Sequence, residues 1–173
     1  MTPRPAAPNR SGLELALVAW PDLPPGERGA VAALEISAEQ VEYAGTMARS
    51  IAACEGADPN EVAGLAIRAG GDVVGWVVLK RGASAPDWVE AGAVVVSGLR
   101  IDRRHQGRGI GAAALGAMAH WVARTWPQSV RMVLRVDDSN AAGIRAYEKA
   151  GWVECAERRV GRVGLERTMS MRL

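Results

Sequence analysis

The stretch Leu99-Arg-Ile-Asp-Arg-Arg-His-Gln-Gly-Arg-Gly-Ile-Gly-Ala-Ala-Ala-Leu115 decides how this chain is read. It predicts the end of a strand, a basic glycine-rich turn and the first turn of a helix. Gly107, Gly109 and Gly111 alternate, so no side chain keeps a ligand off the backbone there. The following helix directs its free amides and the positive end of its dipole into the turn. Arg103, Arg104 and Arg108 add fixed positive charge beside it. A multiply charged phosphate compound suits such a place.

Upstream, residues 13–20 are an apolar run suited to a first strand, closed by Pro21. Pro24, Pro25 and Gly26 precede a weak helix at about 27–36. Ser37 and Gln40 then form a capping-box pattern. Val41, Ala44, Ala48 and Ile51 follow at helical spacing as one helix, which dissolves at Gly56–Pro59. Segments 62–69 and 73–80 are strand-like and joined by Gly70-Gly71, a hairpin signal. Segment 93–101 is a third long strand.

The helix after the glycine turn carries Leu115, Met118, Ala119 and Val122 on one face and ends before Pro127. Alternation from Val130 to Val136 predicts another strand. Ser139 or Asn140 caps a helix with Ile144 and Tyr147 on its buried side, ended by Gly151. Two strands, 152–158 and 165–171, close the chain. The expected fold is mixed α/β, with a largely antiparallel sheet of six to seven strands and about four helices.

The length of 173 residues fits one domain, 13–173, behind a disordered tail at 1–12. A formal charge of +2, with basic clusters only at 100–108 and 158–167, argues against nucleic acid as partner. Cys54 and Cys155 stand apart with no His or Cys beside them, so no metal site is expected. Isolated thiols suit a reducing compartment. The tail holds no secretory core, and no apolar run nears the ~20 residues of a membrane helix. A cytoplasmic protein with no membrane partner is expected.

Three phosphate compounds compete for the turn. A nucleoside-triphosphatase loop needs Gly-x4-Gly-Lys-Ser/Thr, and both the Lys and the hydroxyl are missing. A dinucleotide fingerprint can be laid over Gly109, Gly111 and Ala114, with Asp137 ending the next strand. Residues 102–108 then separate the glycines from their strand, and only 62 residues follow Gly111, too few for the rest of a doubly wound sheet. Coenzyme A is the third: its pyrophosphate would lie on the amides of 106–111, with the arginines offsetting the 3′-phosphate.

Two motifs support that third reading. Gln106-Gly-Arg-Gly109-Ile-Gly111 resembles the Gln/Arg-x-x-Gly-x-Gly/Ala motif of the GCN5-related N-acetyltransferases (GNAT). Asn140-Ala-Ala-Gly-Ile-Arg-Ala-Tyr147-Glu-Lys-Ala-Gly151-Trp152 resembles that family's second motif, with Trp152 in place of Phe and Gly143 where Ala is common. The order of elements over 13–172 resembles the same acyl-CoA N-acyltransferase fold.

The resemblance implies acetyl-CoA as co-substrate, without a metal, and transfer of its acetyl group to an amine. The strand before the turn splays and offers the backbone of Leu99, Arg100 and Ile101 to the thioester, whose carbonyl would accept an amide hydrogen bond. Leu99 and Ile101 side chains read equally as core. Arg104, Gln106, Gly107, Arg108, Gly109, Ile110 and Gly111 would hold the coenzyme. Tyr147 matches the tyrosine beside the thioester sulfur, where it would steady the departing thiolate; a core tyrosine is the plainer alternative. Asn140 reads both as an N-cap and as a neighbour of the coenzyme.

The general base stays open. Glu61, Asp87 and Glu90 flank the central strands, while His105 and His120 lie in the turn and on its helix. Ile36-Ser-Ala-Glu-Gln-Val-Glu-Tyr43, with Leu99-Arg-Ile-Asp102 and Leu165-Glu-Arg-Thr-Met169, looks most like the spermine/spermidine (diamine) acetyltransferases. A small amine or polyamine acceptor facing Glu39 and Glu42 is therefore expected. A protein N-terminus, amino acid or antibiotic acceptor, or a non-catalytic acyl-CoA-binding module, stays open beside it. The resemblance also implies a homodimer built on the closing strands.

Overall fold

The computed structural model describes residues 14–173; the tail expected at 1–12 lies outside them. Gly70 and Gly71 join β2 (Val62–Ala69) and β3 (Asp72–Lys80) into the expected hairpin. β1 (Leu15–Ala19) adds antiparallel to β2, and β4 (Ala93–Ile101) antiparallel to β3. The helix α4 (Ile110–Thr125) then crosses over to β5 (Arg131–Asp137), which makes β4–β5 parallel. β8 (Leu165–Arg172) returns antiparallel on β5.

The strand expected at 152–158 is interrupted. β6 (Val153–Glu154) and β7 (Arg159–Val160) both pair with β8, and between them the chain bends so that Arg158 meets Glu154 and Asp138. The sheet order is β1-β2-β3-β4-β5-β8-β6, with β7 also on β8. This is the mixed, mostly antiparallel sheet that was expected, of seven strands if β6 and β7 count as one.

α4 and α5 (Ala141–Lys149) cover one face of the sheet. Leu115, Met118 and Val122 of α4, Ile144 of α5, and Trp152 pack there against Leu65, Val77, Met132 and Leu134. Each such side chain contributes roughly 1.5–3 kcal/mol relative to exposure. The other face carries α1 (Pro25–Ala32), α2 (Ala38–Ala44) and α3 (Met47–Ala52). Leu23, Val31, Leu34 and Met47 gather there around Trp76. Among the described residues no helix is long and apolar enough to cross a membrane. Cys54 and Cys155 are free thiols.

The early helices depart from expectation in two ways. α1 begins at Pro25, whose fixed φ is pre-set for a first helical turn, and ends before the predicted 36. The single helix expected from 38 to 51 is two helices. Gly45 takes φ +75°, and Thr46 starts a new cap by accepting the Arg49 N–H on its Oγ1 at 3.2 Å. The capping box forms as expected: Gln40 N–H donates to Ser37 Oγ and Ser37 N–H to Gln40 Oε1, each at 3.2 Å. α2 nevertheless buries none of its own residues.

Asp102, at the end of β4, ties these helices to the sheet. Its carboxylate is fully buried. Oδ2 accepts the Glu35 N–H at 3.0 Å, and Oδ1 accepts the Arg104 N–H at 2.9 Å. Arg104 adds a fork, Nε to Oδ1 and Nη2 to Oδ2, both at 2.8 Å. That fork, with the backbone donors, holds the Asp102 pKa far below the carboxylate range. A depressed pKa stabilises the fold fully above the unfolded value of about 3.9, and the contribution is lost as pH falls from there toward the folded value. Urea unfolding should therefore show a stability gap between wild type and Asp102→Asn that is constant near neutrality and narrows below about pH 4. A gap unchanged down to pH 3 would mean that the carboxylate's charge does not contribute.

Candidate active site

β4 and β5 pair only from Ala93↔Arg131 to Val95↔Val133. Beyond that point β4 continues along β3 to Ile101, while β5 continues along β8 to Asp137. The two strands part, and a wedge opens between 97–101 and 134–137. On its wedge side β4 has no strand partner. A bulge accompanies the parting: Ser97 faces Val78 and Arg100 faces Trp76, so β4 carries one residue more than β3 between these pairs. Gly98 sits in this bulge at φ +58°, a left-handed conformation that costs a residue with a β-carbon about 1–2 kcal/mol.

The glycine turn closes the mouth of the wedge. Gly107 and Gly109 have φ of +74° and +77°, and Gly109 is the N-cap of α4. The first amides of α4 have no carbonyl one turn behind them. They open onto a cavity of about 720 Å³. Gln106 Nε2 donates to Ile101 O at 2.9 Å and to Gln40 Oε1 at 2.8 Å, lacing the turn to β4 and α2.

Most of the predicted residues meet in this cavity: Leu99, Ile101, Gln106, Gly107, Gly109, Ile110, Gly111, Asn140 and Tyr147 all line it. Arg100 does not line it: the residue pairs with Trp76 of β3, and its side chain is buried on the α2–α3 face. Arg104 is held by Asp102, and Arg103 by Glu35 at 2.7 Å. Arg108 stands at the turn without an ion pair among the described residues. His105 lines the cavity as well, and so do two residues the sequence did not single out, Arg145 and Lys149, which bring cationic groups to its wall. The only sequence signal for the last two is their spacing, one helical turn apart on the motif helix.

Asn140 fills both of its readings. Its Oδ1 accepts the Gly143 N–H at 2.9 Å as the cap of α5, and the residue also lines the cavity. A β-carbon at 143 would come within 2.7 Å of Asn140 Nδ2, so glycine at this position suits the cap. Tyr147 lies beside Trp152, with ring centroids 6.1 Å apart. Burial pushes its phenol up to about 12, which leaves it protonated at neutral pH.

None of the three acids weighed as base lines the cavity. Glu61 accepts Ser84 Oγ–H at 2.8 Å, and that bond, with those from the Ala83 and Ser84 amides, lowers its pKa. Glu90 pairs with Arg131, and Asp87 lies in the same 82–92 loop as Glu90. All three stand at the end of the sheet where β4 begins. His120 bonds Gly116 O within α4 and lines a different cavity. The carboxylate in the wall is Glu39, whereas Glu42 is exposed outside it. Tyr43 hydroxyl donates to Glu39 Oε1 at 3.3 Å and meets Ser139 Oγ at 3.1 Å, bridging α2 to the loop before α5. Nothing in the sequence paired Tyr43 with Ser139, 96 residues away.

A parted strand pair, a glycine turn feeding a helix N-terminus and a protonated tyrosine across the gap define an acyl-CoA N-acyltransferase architecture. Residues 30–152 match the acetyltransferase (GNAT) family, and the chain belongs to it as an N-acetyltransferase. The fold is similar to aminoglycoside acetyltransferase AAC(6')-Ib in complex with coenzyme A, with a TM-score of 0.71 and 16% identity over 92% of this chain and 95% of that one. It is also similar to spermidine N-acetyltransferase from Vibrio cholerae in complex with CoA and spermine, at 0.67 and 19% over 91% and 95%. The GNAT domain of S. lividans PAT aligns at 0.65 and 24% over 93% and 90%. No curated protein sequence matches the chain.

Gly98→Ala should lower the unfolding free energy by ~1–2 kcal/mol in a urea titration, the cost of a β-carbon in the left-handed region. An unchanged midpoint would mean that the bulge relaxes freely.

Proposed function

We propose that this enzyme moves the acetyl group of acetyl-CoA directly to a primary amine, with a small amine or polyamine favoured. The observation that carries this reading is the single cavity in which the free edge of β4, the amides opening α4 and Tyr147 face one another. Coenzyme A fits these groups. Its pyrophosphate lies on the amides around Gly107–Gly111, and Arg108, Arg145 and Lys149 offset its charge. Its pantetheine arm extends into the wedge beside β4, where β5 no longer competes for backbone hydrogen bonds.

The thioester carbonyl accepts a hydrogen bond from the backbone of the 99–101 segment. As the amine attacks, charge builds on that oxygen, and a fixed amide stabilises it without reorganisation. The C–S bond breaks and the sulfur leaves as a thiolate beside Tyr147. With the phenol at about 12 and an ordinary thiol near 8.5, full proton transfer is uphill by roughly three thousandfold. Tyr147 therefore donates a hydrogen bond; the attacking nitrogen releases a proton to solvent as the amide forms, and the thiolate takes one up from solvent.

An alkylamine with a pKa of about 10.4 must first lose a proton. Ser139, Tyr43 and the exposed Glu39 form a hydrogen-bonded path from the cavity wall to bulk water. Glu39 also supplies the negative charge that attracts a second ammonium group, which supports a polyamine over a monoamine. Val153, Val160 and Leu165 leave exposed apolar side chains on the closing strands, in keeping with a homodimer.

Thiol release from acetyl-CoA should be measured with spermidine, lysine, an aminoglycoside and a peptide N-terminus as acceptors. Turnover with an amine is expected, fastest with the polyamine; silence toward all four would overturn the reading. Tyr147→Phe should lower kcat on the order of 10–100-fold, the worth of one hydrogen bond to a charged partner, with KM for acetyl-CoA little changed. Glu39→Gln should raise KM for a diamine by about two- to fivefold, the scale of an exposed ion pair, and leave a monoamine's KM unaltered.

A further inference from the structure

α2 carries two residues of the cavity wall, Glu39 and Tyr43, yet it buries no side chain. Hydrophobic packing therefore does not set its distance from β4. Its C-terminal end is held instead by one buried cation. Arg100 is 1% exposed and projects from β4 toward α2 and α3. Its Nη2 donates to the carbonyls of Ala44 and Gly45, the latter at 3.0 Å. Its Nη1 donates to Ser50 Oγ at 2.9 Å and to the Gly98 carbonyl at 3.0 Å. Ser50 Oγ also accepts the Trp76 indole N–H at 3.0 Å, which ties the cluster to β3.

We propose that Arg100 is a positioning residue that sets the acceptor wall in register with the thioester-binding bulge of β4. One planar guanidinium bonds the last carbonyls of α2, a hydroxyl of α3 and the bulge carbonyl next to Leu99. The carbonyl end of a helix attracts a cation, and the rigid fork allows these bonds to form together. A lysine keeps the charge but not the fork. A displacement of the C-terminal end of α2 then moves Tyr43, and with it Glu39, relative to the attacked carbonyl, while the glycine turn, which meets α2 only near its start through Gln40, keeps its bonds to β4 through Asp102 and Gln106.

This inference rests on the proposed acetyl transfer, so its test has two independent readouts. Arg100→Lys and the milder Ser50→Ala are compared with wild type by amine and acetyl-CoA kinetics and by hydrogen exchange of the 38–45 amides. The expected result for Arg100→Lys is a five- to fiftyfold rise in amine KM, with acetyl-CoA KM within twofold of wild type and faster exchange confined to α2. Ser50→Ala should shift the same quantities in the same direction but less, and it carries the test if Arg100→Lys does not fold. A merely structural role would lower the folded fraction, and with it kcat, while leaving both KM values in place; that pattern overturns the proposal. Unchanged exchange in α2 overturns it as well. If wild type acetylates no amine, the proposed function fails, and the exchange experiment still decides whether Arg100 fixes α2.

Discussion

Strand β4 hydrogen-bonds on both edges as far as Val95 and on one edge beyond it. Backbone groups inside a sheet are ordinarily saturated, and leaving them unpaired in a dry interior is costly. Here the free edge faces a cavity, so those groups stay available to a ligand. Two features accompany the parting of the strands. Gly98 turns the chain through a bulge, and Arg100 reaches from the same strand to the helices on the opposite side. β5, meanwhile, stays paired with β8 to its end. The cleft is thus a consequence of sheet geometry rather than of a loop laid over the surface.

The two walls of that cleft are held by different forces. The α4–α5 side rests on a continuous apolar core, with Leu115, Met118, Ile144 and Trp152 all buried. The α2 side is held by directional polar bonds at its two ends and across the mouth: Gln40 with Gln106, Arg100 with Ala44 and Gly45, and Tyr43 with Ser139. Such bonds contribute about 1 kcal/mol each, more where a charge takes part. They fix position more than they add stability. A wall built this way can differ in its side chains without disturbing the core.

Charge follows the same division. Arg108 stands in the glycine turn and Arg145 and Lys149 in the cavity wall, whereas Glu39 is the acid of that wall on the α2 side. Much of the apparent basicity of the glycine turn is internal: Arg103 and Arg104 serve Glu35 and Asp102. A run of arginines in a sequence carries no record of which carboxylates will neutralise it. Buried Asp102 shows the cost of that omission, since its four bonds involve residues as far away as Glu35.

By itself the sequence determined whatever depends on neighbours along the chain. The hairpin at Gly70-Gly71, the capping box at Ser37 and Gln40, the glycine turn, the Asn140 cap and the strands 62–69 and 93–101 are all local patterns, and all formed. Two such readings failed: Gly45 broke a helix that apolar spacing had made continuous, and a bend at 155–158, where Arg158 meets Glu154 and Asp138, divided a closing strand. Tertiary structure alone decided where β4 leaves β5, which side chains of the basic turn are already paired, and that Tyr43 meets Ser139. Those are contacts between distant segments, set by strand register and by the competition among donors for a limited number of buried acceptors. Periodicity and spacing cannot encode that competition, so the glycine turn and its helix were legible in the sequence and the way α2 is held beside them was not.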